Sequence, residues 1–164
     1  MRFSKPCSIR LIATLTICLN LGLIGKVLAQ EKSCSGASCN DKDPVEYNCD
    51  SDAYVVEEVN QTIYRWQDSL QPREIVVKHI YSELCNANWT KAYIPDDTYL
   101  FIREQTLVNG SQPIQGLFQA QGRRYFWAYS NMSNGSVVNQ ACVSIPVGQL
   151  FGHNFYDQYC TNFN

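Results

Sequence analysis

The side chains best suited to acid–base chemistry near neutral pH are the two histidines, His79 and His153. A serine nucleophile would need such a base and an orienting carboxylate, and no Gly-x-Ser-x-Gly elbow occurs in the sequence. His79 lies in an apolar, β-forming run without a nucleophile beside it, so we expect it to be packed and bonded to a backbone carbonyl. The sequence therefore assigns no catalytic residue. A small extracellular hydrolase that uses carboxylates or these histidines is retained as an alternative function.

Cysteine is the other chemically capable residue type, and six of the eight cysteines follow residue 30. They are Cys34, Cys39, Cys49, Cys85, Cys142 and Cys160. Zinc sites use closely spaced cysteine pairs or cysteine with histidine, whereas these spacings are wide. An even number of cysteines in an exported chain predicts three disulfides, although it does not choose among the possible pairings. We take Cys34 with Cys39, Cys49 with Cys85, and Cys142 with Cys160 as the working pairing.

Oxygen ligands are gathered in the segment 30–52, whose composition is that of a polar loop. Its carboxylates are Asp41, Asp43, Glu46, Asp50 and Asp52. Calcium binds oxygen-rich loops, but the EF-hand order of ligands, with its glycine and closing glutamate, does not occur here. We therefore expect a solvated loop whose carboxylates cap turns. The five acids are kept as a candidate calcium site, and no other metal or cofactor is predicted.

Aromatic residues recur in the C-terminal segment 146–164 and in two places before it. Exposed rings in a shallow site bind the flat faces of glycans or other planar ligands. The candidate ligand-binding residues are Trp66, Trp127, Tyr129, Phe155 and Tyr156. Because buried and exposed rings look alike in a sequence, the alternative is that this aromatic tail is a packed flap held by Cys160.

Residues 1–29 have the properties of a cleaved signal peptide. A positively charged start precedes a mostly apolar run from Leu11 to Gly25, which is too short for a stable membrane-spanning helix. We place the cleavage after Ala29. The expected location is secreted, periplasmic or in the cell envelope, with no membrane span after cleavage.

Net charge limits the class of partner. Removing the 4 basic residues of the leader from the 13 in the chain leaves 9 against 15 acidic residues, a net charge of −6. Nucleic acids and anionic membranes attract proteins through Lys and Arg. We therefore expect an extracellular ligand such as a glycan or a peptide, and no nucleic acid. The oligomeric state is left open.

Between residues 53 and 145 the sequence predicts a sheet. The stretch Arg73–Ile94 carries apolar residues on both faces, so we expect a central strand, a turn tethered by Cys85 and a second strand that packs Trp89 into the core. Residues 53–64 fit either a strand or a short helix followed by a strand. Further short β-forming runs are separated by turn signals such as Asn-Gly.

The order of these signals predicts an all-β fold, a small antiparallel β-sandwich or partly open barrel that is stapled by disulfides and has long N- and C-terminal loops. Neither a long amphipathic helix nor an internal repeat is visible in the sequence. Residues 30–164 make a single domain of ordinary size. Its predicted parts are a tethered loop (30–52), a sheet (53–145) and an aromatic tail (146–164).

A series of short motifs runs through the whole of residues 30–164. It comprises Cys34, Gly36, Cys39, Asn40, Asp43-Pro44, Cys49, Asp52-Ala53, Tyr81-Ser82, Cys85, Ala87, Trp89, Ala141-Cys142-Val143 and Cys160-Thr161. The ordered combination resembles the YjfA-like family of small secreted, cysteine-rich bacterial proteins of unknown function. His79, Ile80 and Thr90-Lys91 depart from the residues typical of that family. The resemblance implies export and one disulfide-bonded domain, and it assigns no catalytic residue.

The function that these features favour is a secreted binding or interaction module. An aromatic-rich β scaffold and an acidic loop, without a catalytic set, motivate this expectation. The resemblance adds that some family members carry the domain outside a membrane-anchored regulator. The hydrolase described above is one alternative function, and a purely structural protein of the cell envelope is the other.

Overall fold

The computed structural model describes residues 33–164, in which nine strands and two short 3-10 helices follow one another. The strands are β1 (Tyr54–Tyr64), β2 (Pro72–Ser82), β3 (Ala87–Pro95), β4 (Tyr99–Glu104), β5 (Ile114–Gln119), β6 (Tyr125–Tyr129), β7 (Ser133–Asn134), β8 (Asn139–Leu150) and β9 (His153–Cys160). The 3-10 helices are η1 (Gly36–Cys39) and η2 (Trp66–Asp68). Strand makes up 55% of the structure and helix 5%, so the predicted all-β class is confirmed.

The strands form two antiparallel sheets. Sheet A has the order β1-β2-β3-β6, with β7 also paired to β3, and sheet B has the order β5-β4-β8-β9. The sheets pack on one another without closing into a barrel. Of the two predicted architectures, sandwich and partly open barrel, the protein therefore forms the sandwich. β2 lies between β1 and β3, which confirms the interior strand predicted from Arg73 onward.

Strand alternation explains the core between the sheets. In β2, Ile75 and Val77 point inward and are fully buried. Leu100 of β4 and Val143 of β8 lie opposite each other in sheet B and belong to the same buried cluster. Each buried aliphatic side chain stabilises the fold by roughly 1.5–3 kcal/mol, so this layer holds the two sheets together.

A second, smaller buried cluster lies on the other face of sheet A. Its members are Cys39, Cys49, Ile80, Cys85, Ala87, Trp89 and Met132. Ile80 and Trp89 are paired across β2 and β3 and point away from the sandwich core, where the cysteine-bearing N-terminal loop covers them. Trp89 is therefore buried as predicted, with 3% of its surface exposed, but under this loop rather than between the sheets.

Three disulfides staple the described residues, and they are the working pairing: Cys34–Cys39, Cys49–Cys85 and Cys142–Cys160. The first disulfide joins Cys39, the last residue of η1, to Cys34 in the loop before η1. The second ties the N-terminal loop to the turn between β2 and β3, as predicted for Cys85. The third joins β8 to β9 at directly opposed positions.

The C-terminal segment corrects the prediction of a loop-like tail over 146–164. β8 continues to Leu150, and β9 pairs with it from His153 to Cys160. β9 is an edge strand whose residues are mostly exposed, so no alternating apolar face marks it in the sequence. The aromatic residues of this segment are therefore mounted on a sheet.

The predicted signal peptide, residues 1–29, lies outside the residues that the structure describes. Within residues 33–164, none of the helices is long and apolar enough to cross a membrane. The three disulfides are bonds of a kind that persists in oxidising compartments.

Candidate functional site

A cleft of about 570 Å³ opens on the outer face of sheet A, the face that points away from the sandwich core. Its floor is formed by outward-pointing residues of β2, β3 and β6. They are Lys78, Ile80, Trp89, Lys91, Trp127 and Tyr129. The register explains this grouping, because Ile80 lies opposite Trp89, Lys78 opposite Lys91, and Lys91 opposite Tyr129. We call this site the outer cleft.

The wall of the outer cleft is the N-terminal loop together with the start of β1. The wall residues are Pro44, Val45, Asp50, Ala53, Tyr54 and Val55. The loop is ordered locally, because the Asp43 carboxylate accepts a hydrogen bond from the Val45 N–H (2.8 Å) and the Cys49 N–H donates to the Pro44 carbonyl (2.8 Å). The Cys49–Cys85 disulfide anchors it to sheet A. The wall is therefore formed before any ligand arrives, as in most small-ligand sites.

The exposed fraction of each ring decides which aromatic side chains a ligand can touch. Trp127 is 48% exposed and Tyr54 is 47% exposed, whereas Trp89 beneath them is almost completely buried. Tyr93 supports Trp127 from the neighbouring strand, with the two ring centroids 5.7 Å apart. A ligand in the outer cleft would therefore contact Trp127 on the floor and Tyr54 on the wall.

The floor also carries two lysines. The Lys78 Nζ atom lies 2.8 Å from a carboxylate oxygen of Glu58 and 5.3 Å from the centre of the Trp127 ring. The hydrogen bond from Lys78 lowers the pKa of the Glu58 carboxyl. Lys91 lies opposite Lys78 and has no carboxylate partner in the part of the chain that the structure describes. Its ammonium group is therefore available to a ligand.

The negative charge near the outer cleft comes from carboxylates of the N-terminal loop, Asp43 and Asp50, which lie close to Tyr129. Burial raises the pKa of the Tyr129 hydroxyl, and the carboxylates of Asp43 and Asp50 raise it further. The phenol therefore stays protonated near neutral pH and can donate a hydrogen bond. The outer cleft thus combines aromatic surface with ammonium donors, a phenol donor and a carboxylate acceptor.

The structure does not bring the five predicted ligand-binding residues onto one surface. Trp127 and Tyr129 lie in the outer cleft. Trp66, which is 74% exposed, lies in η2. Phe155 and Tyr156 lie on β9 of sheet B, and neither they nor Trp66 line the outer cleft. Two of the five residues therefore belong to the candidate site.

The predicted calcium ligands are spread along the N-terminal loop. Asp41 accepts a hydrogen bond from the Gly116 N–H on β5 (3.0 Å), whereas Asp52 accepts from the Ser82 hydroxyl (2.6 Å) and the Leu84 N–H (2.7 Å). Burial raises the pKa of Asp52, but these hydrogen bonds outweigh it and hold that pKa below its ordinary value. Across residues 33–164, the one group of metal-ligating side chains with suitable geometry consists of cysteines. Asp41, Asp43 and Asp52 thus accept hydrogen bonds from backbone N–H groups, and calcium binding by the five acids stays a prediction.

His79 is buried between the sheets, with 2% of its surface exposed, opposite Glu57 of β1 and Thr90 of β3. Neither ring nitrogen has a hydrogen-bond partner among the described residues, so the expected bond to a backbone carbonyl is not made. Burial lowers the pKa of His79. The amides of Asn139 and Asn88 lie close enough to oppose this shift, but neither meets hydrogen-bonding geometry. The ring is therefore neutral near neutral pH and has no access to solvent.

His153 lies far from His79. It is paired with Leu150 at the β8–β9 hairpin, whereas His79 approaches Asn139 at the other end of the 12-residue strand β8. This strand length places the two histidines roughly 30 Å apart. A hydrolase that uses both histidines in one site is therefore not supported by the geometry.

A broader depression of about 1340 Å³ lies where η2 meets β6 and β8. Groups around η2 are bonded within the protein: the Arg65 Nε–H donates to the Pro146 carbonyl (2.7 Å), the Tyr125 hydroxyl donates to Asp68 (2.6 Å), and the Arg65 guanidinium lies 3.5 Å from Asp68. Burial, followed by the hydrogen bond to Asp68, raises the pKa of Tyr125 to about 12. These groups hold η2 in place, and the volume exceeds that of a usual small-ligand pocket. The outer cleft is therefore the stronger candidate.

Lys78, Lys91 and Trp89 were not predicted as site residues. Their alternation in β2 and β3 places them on one face, but both faces of β2 carry apolar residues, so the sequence predicts an interior strand and does not mark either face as open. The two lysines were the usable signal, because lysine is almost never fully buried without a partner. A sheet face that carries two lysines beside a tryptophan is therefore expected to be only partly covered by the rest of the chain.

Comparison with known proteins does not assign a family. No protein-family model, curated protein or solved structure matches the chain. The resemblance to the YjfA-like family stays a prediction, and the function is argued from geometry.

Proposed function

We propose that the protein is an extracellular binding module that holds a glycan in the outer cleft. The observation that carries the proposal is the half-exposed Trp127 ring on a fixed floor, with Lys78 and Lys91 beside it and Asp50 on the facing wall. An aromatic face takes up the apolar face of a sugar ring, and charged side chains bond its hydroxyl groups. Both requirements are met within one cleft of ordinary ligand size.

A glycan suits the outer cleft better than a peptide or a nucleic acid. Peptides commonly add a strand to a sheet edge, whereas the floor of the outer cleft is the face of a sheet, in which β2 and β3 are interior strands and only β6 lies at an edge. Nucleic acids need a basic surface, and residues 30–164 carry 9 basic against 15 acidic residues. Side chains, rather than backbone or net charge, must therefore supply the recognition.

The test is a titration of the oxidised protein with soluble chito-, cello-, xylo- and malto-oligosaccharides, followed by calorimetry and tryptophan fluorescence. We expect one series to bind, and Trp127→Ala to weaken its affinity by about fivefold or more, since a truncated aromatic anchor costs more than about 1 kcal/mol. Trp66→Ala is the matched control, because Trp66 is more exposed than Trp127 but lies outside the cleft. It should leave the affinity unchanged.

Two results would contradict the proposal. Equal losses in Trp127→Ala and Trp66→Ala would place binding outside the outer cleft. Failure of every oligosaccharide series to bind at millimolar concentration would remove the glycan and favour a purely structural role.

The proposal includes a location outside the cytoplasm. The three disulfides support it, because such bonds persist in oxidising compartments, and so does the predicted leader. Cell fractionation followed by N-terminal sequencing should find the protein in an exported fraction, beginning near Gln30. Recovery from the cytoplasm with Met1 retained would refute this part.

A further inference from the structure

Four cysteines meet behind the wall of the outer cleft. The Sγ atoms of Cys34, Cys39, Cys49 and Cys85 all lie within 4.8 Å of one another. Cys39, Cys49 and Cys85 are buried, and Cys34 is half-buried. Two disulfides that are well separated in sequence therefore adjoin in space. We call these four atoms the four-sulfur cluster.

The spacing of the four-sulfur cluster is close to that of a tetrahedral thiolate site. A Zn–S bond of about 2.3 Å places the sulfurs of such a site about 3.8 Å apart. The contacts between the two disulfides need to shorten by about 1 Å at most, and the bonded sulfurs need to separate. Rotation of the cysteine side chains between staggered conformations supplies movements of this size.

Backbone hydrogen bonds gather the cysteines independently of the disulfides. The Gly36 N–H donates to the Cys85 carbonyl (2.8 Å), which holds η1 against the β2–β3 turn. The Asp41 N–H donates to the Met132 carbonyl (2.9 Å), and the Met132 N–H donates to the Lys42 carbonyl (2.8 Å). None of these bonds involves a sulfur atom, so in a reduced chain that stays folded they would hold the thiols close together.

We propose that the reduced chain binds one Zn²⁺, or another soft divalent cation, through the thiolates of Cys34, Cys39, Cys49 and Cys85. A dithiol reductant gives two electrons and two protons to each disulfide and is itself oxidised to a disulfide, which leaves four thiols. The cation then replaces the four thiol protons, which pass to solvent. A site with four cysteine ligands has no open position, so its role is structural. Metal binding by these four residues does not require that the outer cleft binds a glycan.

The experiment uses the full chain, titrated under anaerobic conditions with Co²⁺ and then Zn²⁺. A phosphine replaces the dithiol as reductant, because it adds no competing thiol, and it is oxidised to its oxide with oxygen from water. We expect one Co²⁺ per chain, with the thiolate charge-transfer and d–d absorption of a tetrahedral sulfur site, and displacement of Co²⁺ by Zn²⁺. Alkylation followed by mass spectrometry should show Zn²⁺ protecting the four-sulfur cluster. Cys160 should be alkylated with and without Zn²⁺, because it is only half-buried and lies on sheet B outside that cluster.

Paired variants separate the proposed site from scattered thiols. The Cys34→Ser/Cys39→Ser variant should lose the cobalt absorption, and Cys142→Ser/Cys160→Ser should keep it. If reduction unfolds the chain, cobalt absorption must be accompanied by recovery of the β-sheet circular dichroism, since binding then drives folding. The proposal is overturned by absence of the cobalt absorption or by its persistence in Cys34→Ser/Cys39→Ser. If reduction has unfolded the chain, cobalt absorption without recovery of the β-sheet circular dichroism also overturns it.

Discussion

His79 shows how one side chain can make the fold sensitive to pH. Its ring is buried between the sheets, and burial lowers its pKa below the ordinary value of 6.5. Below that pH the unfolded chain binds a proton that the folded chain does not yet accept. His79 therefore leaves stability unaffected above about pH 6.5, and it reduces stability progressively as the pH falls from there toward the folded-state pKa.

Replacing His79 tests this linkage. In His79→Leu the proton uptake on unfolding is removed, so just below pH 6.5 the free energy of unfolding should fall less steeply than in the unsubstituted protein, by up to about 1.4 kcal/mol per pH unit. Urea unfolding at a series of pH values measures the slopes. His153→Gln, at an exposed position, is the control and should keep the original slope. Parallel curves for His79→Leu and the unsubstituted protein would show that His79 titrates normally.

At the scale of elements, β5 depends on a glycine that the sequence did not single out. Gly116 has a φ of +64° and lies where the pairing of β4 with β5 shifts register between Leu100 and Ile102. A Cβ atom at this position would lie 2.2 Å from the Asn131 carbonyl oxygen. The close approach of β5 to the segment before β7 therefore requires a residue without a side chain.

Two glycine substitutions separate backbone strain from steric clash. Gly110 also has a positive φ, +79°, but nothing lies within 4 Å of a Cβ placed there. Gly110→Ala should cost about 1–2 kcal/mol from the left-handed conformation alone. Gly116→Ala should cost more, above about 3 kcal/mol, because the carbonyl must also move. Chemical denaturation measures both changes, and equal costs would mean that β5 shifts without penalty.

β1 and β9, two of the four edge strands, are the strands that the sequence predicts least clearly. β1 was ambiguous between helix and strand, and its pairing with β2 decided the outcome. β9 was expected to be a loop, and its pairing with β8 makes it a strand although its side chains are mostly exposed. Both strands are mostly exposed and lack the alternation that burial imposes, so their conformation is set by the neighbouring strand.

For the molecule as a whole, Thr90 links the two sheets through a polar contact inside the core. Its hydroxyl donates to the Phe101 carbonyl of β4 (2.6 Å) and accepts from the Cys142 N–H of β8 (3.3 Å). Thr90 itself belongs to β3 in sheet A and is fully buried. The hydroxyl therefore fixes how the sheets lie on one another, which apolar contacts alone leave adjustable.

Thr90→Val keeps the shape of this side chain and removes its hydroxyl. It should lower the free energy of unfolding by about 1–3 kcal/mol, because two buried backbone groups lose a partner. Thr62→Val on the exposed side of β1 is the control and should change stability by less than about 0.5 kcal/mol. A Thr90→Val protein as stable as its control would show that the sheets are held by apolar packing only.

The N-terminal loop has the widest influence on the molecule. It buries Trp89, provides the wall of the outer cleft and carries three of the four sulfurs of the four-sulfur cluster. Its composition predicts only a tethered polar loop, because few of its side chains are apolar. Its role follows from the surface on which it lies.

The sequence by itself determined the all-β class, most strand positions, the interior place of β2 and the use of the six cysteines in disulfides. These properties depend on the alternation of apolar and polar residues, on turn residues and on the number of cysteines. All three can be read from short stretches of sequence or from a count. Only the tertiary structure decided that the outer face of sheet A is half-covered, that β9 is a strand and that four sulfurs meet. Burial and proximity depend on which distant segment of the chain lies over a surface. The periodicity of apolar residues within one strand does not specify that segment.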